Sequence, residues 1–166
     1  MLVPSSLMQS MASFVSQNIG AGKKKRAKQS MFTGIGVGLA VGCVVFVLVL
    51  FKGDVLCSAF STDAAVIQNG FAYLKGFAPE TLVTAIMFSM VGYFNGNSKT
   101  VWVMTQGLIQ TLLVRLPLAY FMSIQPDASL TKIGLAAPVA TTVGIVLNVG
   151  FFIYLNQTEQ RKSILS

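Results

Sequence analysis

Glu80 and Arg115 are ionisable residues set in largely uncharged sequence, so the chemistry open to them is ion binding, proton exchange or ion pairing. Glu80 lies 15 residues before Asn95, and Arg115 lies 16 residues after Lys99. An α-helix rises 1.5 Å per residue, so each sits about 23 Å from the turn joining the two segments. An acid and a base therefore share a depth on neighbouring helices. Two readings stay open. In one, Glu80 and Arg115 form a structural ion pair, or Arg115 snorkels to the interface. In the other, Glu80 holds a coupling cation or takes up a proton. Lys75, five residues before Glu80, is an alternative partner.

Uncharged polar residues extend this set. Gln106 and Gln110 are four apart and share a helix face, roughly 10 to 17 Å from the same turn. Asn148 falls at similar depth in the last apolar segment, and Thr84 is one turn from Glu80. They either line a substrate cavity or hydrogen-bond between helices. On an α-helical wheel Arg115 falls about 180° from Gln106 and leaves that face. Met87, Met90, Met104, Phe88 and Trp102 offer an adaptable apolar surface, or simply pack. The chain has no His and five acids, with no nucleophile–base pair and no paired carboxylates. Neither an enzyme nor a metal centre is expected. Cys43 and Cys57 suggest no disulfide framework.

The elements that must position these residues are membrane helices. Only 10% of the 166 residues are charged, against about 25% in a typical globular domain. Apolar residues make up 54%, and the mean hydropathy is +0.70. A membrane-crossing helix needs about 20 apolar residues. Uncharged windows predict an all-α, polytopic membrane protein with about five spans, near residues 1–20, 29–51, 72–95, 100–123 and 132–156. Pro79, Pro117 and Pro138 fall inside these windows, where membrane helices tolerate a kink. The runs are too long, and alternate too little, for β-barrel strands.

Charge sets the expected orientation. The loop after the first span carries Lys23, Lys24, Lys25, Arg26 and Lys28; the loop after the third carries Lys99; the tail carries Arg161 and Lys162. The loops after the second and fourth spans hold Lys52 and Lys132 with Asp54, Asp63 and Asp127. The positive-inside rule makes the first set and the C-terminus cytoplasmic. Gly20 and Gly22 end the helix that feeds the basic loop. The net charge of +7 does not imply nucleic acid, because no nucleic-acid-reading motif accompanies it. An odd number of spans starting outside, without a signal peptide, leads to the expectation that sequence precedes Met1. "GIGVGLAVG" lies inside a span, so Gly38 and Gly42 read as a close helix contact rather than a dinucleotide loop. "GAGKKK" lacks phosphate-loop spacing, and Asn156-Gln157-Thr158 would be an inert glycosylation pattern.

Three stretches carry a family resemblance: "SFVSQNIGAGKKKRAKQS", "AYLKGFAPETLVTAIMFSMVGYFNGNSKT" and "LVRLPLAYFMS". In order and orientation they resemble the C-terminal part, late helix 8 to helix 12, of multidrug and toxic compound extrusion (MATE) transporters. The turn at Gly92 and Gly96 and the pair Arg115 and Pro117 are part of that likeness. The resemblance implies part of a six-helix lobe in a twelve-helix exporter of the plasma membrane. Na+ or H+ entry would drive export of small organic cations, with no other cofactor. The missing N-terminal lobe and the lipid bilayer would be its partners. The resemblance also places Glu80 on a helix where some members carry a carboxylate. The alternatives are a lipid-linked or polysaccharide flippase of the same superfamily, and a non-transporting membrane remnant or partner subunit.

Overall fold

Long uncharged runs leave backbone N–H and C=O groups no partner in an apolar medium except one another, and helices satisfy them locally. The computed structural model of the chain describes residues 2–60, 62–126 and 129–165. Asp127 lies outside the described residues, as do the side chains of Glu159 and Lys162. The described residues form helices and connections, with no strand. In order these are α1 (Leu2–Gly20), α2 (Lys24–Ser58), α3 (Ala64–Phe77), α4 (Glu80–Gly96) and α5 (Thr100–Leu108). A π-helical segment (Ile109–Arg115) follows, then α6 (Leu116–Ser123), α7 (Leu130–Gly134) and α8 (Ala136–Leu165).

Three helical stretches are long and apolar enough to cross a membrane: Lys24–Ser58, Thr100–Ser123 and Leu130–Thr158. The pair α3 and α4, bent by 49°, is a fourth if the two form one broken span rather than a re-entrant loop. The chain is thus all-α and polytopic. The α1 helix is not among these four, because Ser, Gln and Asn recur along it.

Each break has a local cause. The bend between α3 and α4 falls at Ala78-Pro79, where proline removes an N–H donor. Past Phe51 the chain does not become a loop, as the sequence led us to expect. It stays helical to Ser58 after one non-helical residue, Lys52 (φ −132°, ψ 19°), and Gly53 packs on Phe71 of α3. The π segment precedes Pro117, whose ring would crowd the carbonyl one turn back in a regular helix. There the Leu116 N–H reaches Thr111 O, five residues back. This wider turn changes the angular phase of the helix that follows it, and Arg115 stays exposed, off the face of buried Gln106. The α1 helix ends in a Schellman turn. Gly22 takes φ +73°, Lys23 N–H bonds Asn18 O at 2.7 Å, and Gly22 N–H bonds Ile19 O at 3.0 Å.

The α4 helix is the hub, packed against α1, α2, α5 and α8. Small residues allow its close approaches. A Cβ on Gly42 would lie 2.8 Å from Thr81 O, and one on Gly38 3.1 Å from the Ala85 Cβ. On the α1 side, a Cβ on Gly92 would lie 2.7 Å from Met8 O, and one on Gly96 2.6 Å from Ala12 O. Met11, Val15, Ala27, Met31, Met90, Tyr93 and Phe94 form the core beside these contacts. Edge-to-face pairs Tyr93–Phe152 and Phe94–Phe151, and the stacked pair Trp102–Phe151, carry it to α8 and α5. Lys28 Nζ donates to Asn156 Oδ1, so the basic loop and the end of α8 share one end of the bundle.

Gly96→Ala should destabilise the bundle by about 1–3 kcal/mol, because the added methyl overpacks against α1. Gly36 has nothing near it, so Gly36→Ala should be neutral or stabilising by up to about 1 kcal/mol. Chemical unfolding of both variants in detergent checks the contrast.

Candidate functional site

Where α4 leaves the Pro79 bend, its first residue, Glu80, points inward and is 5% exposed. Its Oε1 accepts a 2.9 Å hydrogen bond from the Thr141 hydroxyl of α8. Thr141 Oγ1 accepts in turn from Gln110 Nε2 at 3.2 Å, and Gln110 Oε1 accepts from Gln106 Nε2 at 2.7 Å. The donors run one way, from Gln106 through Gln110 and Thr141 to the carboxyl. The four members come from α4, α8, the π segment and α5.

Two acceptors at the ends of this chain are open. Glu80 Oε2 and Gln106 Oε1 are buried and meet no donor in good hydrogen-bond geometry, although the Thr84 hydroxyl lies close to the Glu80 carboxyl. A buried unsatisfied acceptor costs about 1–3 kcal/mol. A cation, a proton or a donor group reaching either oxygen offsets that cost.

Gly144, one turn past Thr141 on α8, makes room for the amides. A Cβ there would lie 2.5 Å from Gln110 Oε1 and 2.7 Å from Gln106 Nε2. Asn148, a further turn along, is fully buried. Its Oδ1 accepts from Trp102 Nε1 at 2.9 Å, and its Nδ2 contacts Met87 Sδ at 3.2 Å. Thr141, Gly144 and Asn148 therefore form one polar stripe on α8 that faces α4 and α5.

On the other side of α4 lies a cavity of about 490 Å³ between α1, α2, α3 and α4. Its walls include Leu7, Val41, Val45 and Phe77, with Glu80, Thr81 and Thr84 as the polar exceptions. Glu80 thus borders both the hydrogen-bonded chain and an apolar cavity.

The structure brings Glu80, Gln106 and Gln110 together through Thr141. Thr84 is buried one turn along α4, and Asn148 neighbours the set through Trp102 and Met87. Arg115 is exposed and does not join this set. Lys75 is exposed, its Nζ 4.2 Å from the Phe71 ring centre on its own helix. Of the adaptable apolar residues, Met87 and Met90 are buried, and Met104 faces outward. Thr141 and Gly144 escaped the sequence reading. Both carry the three- and four-residue spacing that leads to Asn148, which is the signal that would have found them. Among the described residues no three His, Cys, Asp or Glu side chains cluster to hold a metal.

Comparison with known proteins locates the chain further. A family model described as MatE matches residues 1–121, which includes Glu80, Gln106, Gln110 and Arg115. A probable multidrug resistance protein NorM of Bacillus cereus (strain ATCC 10987 / NRS 248) is 30% identical over 131 residues, covering 76% of this chain and 28% of that protein. One of the same name from Bacillus thuringiensis subsp. konkukian is 28% identical over 134 residues, covering 76% and 28%. An FAD transporter of Shewanella oneidensis is 28% identical over 123 residues, covering 72% and 26%. The chain spans roughly a quarter of the length of these relatives. No solved structure matches it.

Thr141→Val keeps the shape but removes the donor to Glu80 and the acceptor for Gln110. It should cost about 1–3 kcal/mol of stability in detergent unfolding, with Thr141→Ser close to wild type. Equal stability of the Val and Ser variants would show that the bridge is not formed.

Proposed function

The chain belongs to the MatE family, and on that premise we propose that it is the C-terminal part of a cation-coupled exporter of organic cations. The observation that carries this reading is the open Glu80 oxygen at the edge of an apolar cavity. Ionisable groups at membrane depth are costly and mark ion or substrate paths. In the mechanism we envisage, Glu80 binds Na+ or H+ in one state and yields to the charge of an organic cation in the other. The Thr141 hydroxyl holds the carboxyl in place, and Thr84 stands beside it. Gln110 and Gln106 anchor Thr141 from the opposite helix. The cavity walls shelter the apolar body of the cargo. Arg115 stays outside this exchange.

Charge at the site argues for cations. Among the described residues no Lys or Arg lines the cavity, which disfavours an anionic lipid-linked sugar. FAD carries phosphates, so a cavity whose ionisable group is a carboxyl suits it poorly. The N-terminal lobe of the exporter, outside this chain, would close the substrate path. In the plasma membrane the basic end of the bundle, with Lys23 to Lys28 and the end of α8, would face the cytoplasm.

Glu80→Gln in the complete transporter should reduce gradient-driven ethidium efflux at least tenfold, with the protein still in the membrane. Efflux is followed by fluorescence in energised inverted vesicles. Wild-type rates from the Gln variant would rule out Glu80 as the coupling group.

A further inference from the structure

A second groove, between α1 and α2, adjoins the Glu80 cavity at Leu7 and Val37 and has a different chemistry. It encloses about 500 Å³ and is lined by residues of α1 and α2. Its mouth is polar, with Arg26, Gln29 and Ser30. Deeper in, the lining is Phe14, Met11 and Val37. Lys23 and Lys25, both exposed, are near neighbours of Arg26 in the sequence. The hydroxyls along the α2 wall are turned inward. Ser30 Oγ donates to Arg26 O at 2.7 Å, and Thr33 Oγ1 donates to Gln29 O at 3.0 Å. That wall therefore presents little unmet polarity below its mouth.

Length supports the same reading. Arg26 and Val37 are 11 residues apart on one helix. That is about 16 Å of rise, close to half of the roughly 30 Å hydrocarbon core and so the depth of one leaflet. A cationic mouth at the membrane edge above an apolar trough of one-leaflet depth fits one kind of occupant. We infer that this groove binds an anionic phospholipid, its phosphate at Arg26 and one acyl chain along Phe14, Met11 and Val37. The groove meets the Glu80 cavity at Leu7 and Val37, while its cationic mouth belongs to it alone; lipid binding there does not depend on the transport reading but needs this face open to lipid in the complete protein.

The test uses the whole chain, purified in non-ionic detergent, delipidated, and titrated with phosphatidylglycerol or phosphatidylcholine while native mass spectrometry counts bound lipid. Phosphatidylglycerol should bind several-fold more tightly than phosphatidylcholine. Arg26→Gln should weaken it about fivefold, the usual worth of one basic residue near an anionic lipid. Thr33→Trp fills the trough from an exposed position without changing charge, and it should weaken both lipids. Lys99→Gln removes an exposed charge outside the groove and should leave binding within about twofold. Equal affinity for the two lipids overturns the proposal on the wild-type protein alone. So does a loss in Lys99→Gln as large as that in Arg26→Gln, which would mean a diffuse basic surface. Loss of the Arg26-dependent binding in the complete transporter also overturns it, because a protein helix would then fill the groove.

Discussion

The close approach of α4 to α1 and α2 is the constraint on which the rest of the bundle depends. Helices in lipid gain little from burying apolar surface against one another, so contact between backbones and small side chains must hold them. Gly92 and Gly96 set α4 against the carbonyls of Met8 and Ala12. Gly38 and Gly42 of α2 meet Ala85 and Thr81 on its other side. With α4 clamped from both sides, its first residue is fixed in depth and direction. Glu80 is buried because the helix that carries it has nowhere else to go.

The polar chain follows from that placement. Glu80 meets α8 at Thr141, and Thr141 in turn meets the Gln110 amide. The two amides lie over Gly144, the residue that leaves them space. Gln110 belongs to the π-helical segment that precedes Pro117, so the proline's missing N–H and the placement of the amide are linked through one widened turn. π-bulges of this kind are frequent at functional sites. The result is a self-consistent set of hydrogen bonds that ends in two open acceptors.

Much of this was legible in the sequence. Sparse charge and long uncharged runs gave the all-helical membrane class, because no other backbone arrangement without a closed barrel is stable in lipid. The four-residue spacing of Gln106 and Gln110 put them on one face, and the structure bonds them to each other. Other features were hidden. Glu80 and Arg115 were matched by depth, while the helical wheel set Arg115 off the Gln106 face, and the structure leaves it exposed there. The π turn itself was hidden, because periodicity at 3.6 residues cannot register it. Thr141 looked like one more small residue in an apolar run, because a threonine gains significance only from what stands opposite. The continuation of α2 past Lys52 was missed because Lys-Gly-Asp reads as a turn when the packing of Gly53 on Phe71 is unseen.

The central claim is that one carboxyl, held by Thr141 at the edge of an apolar cavity, exchanges a small cation for an organic one. Ion release on cargo binding tests this most directly. The complete transporter in weakly buffered detergent would be mixed with tetraphenylphosphonium while protons and sodium are monitored together. The account predicts release of about one ion per cation bound, and no release from Glu80→Gln. Binding without release, or the same release from the Gln variant, would contradict it.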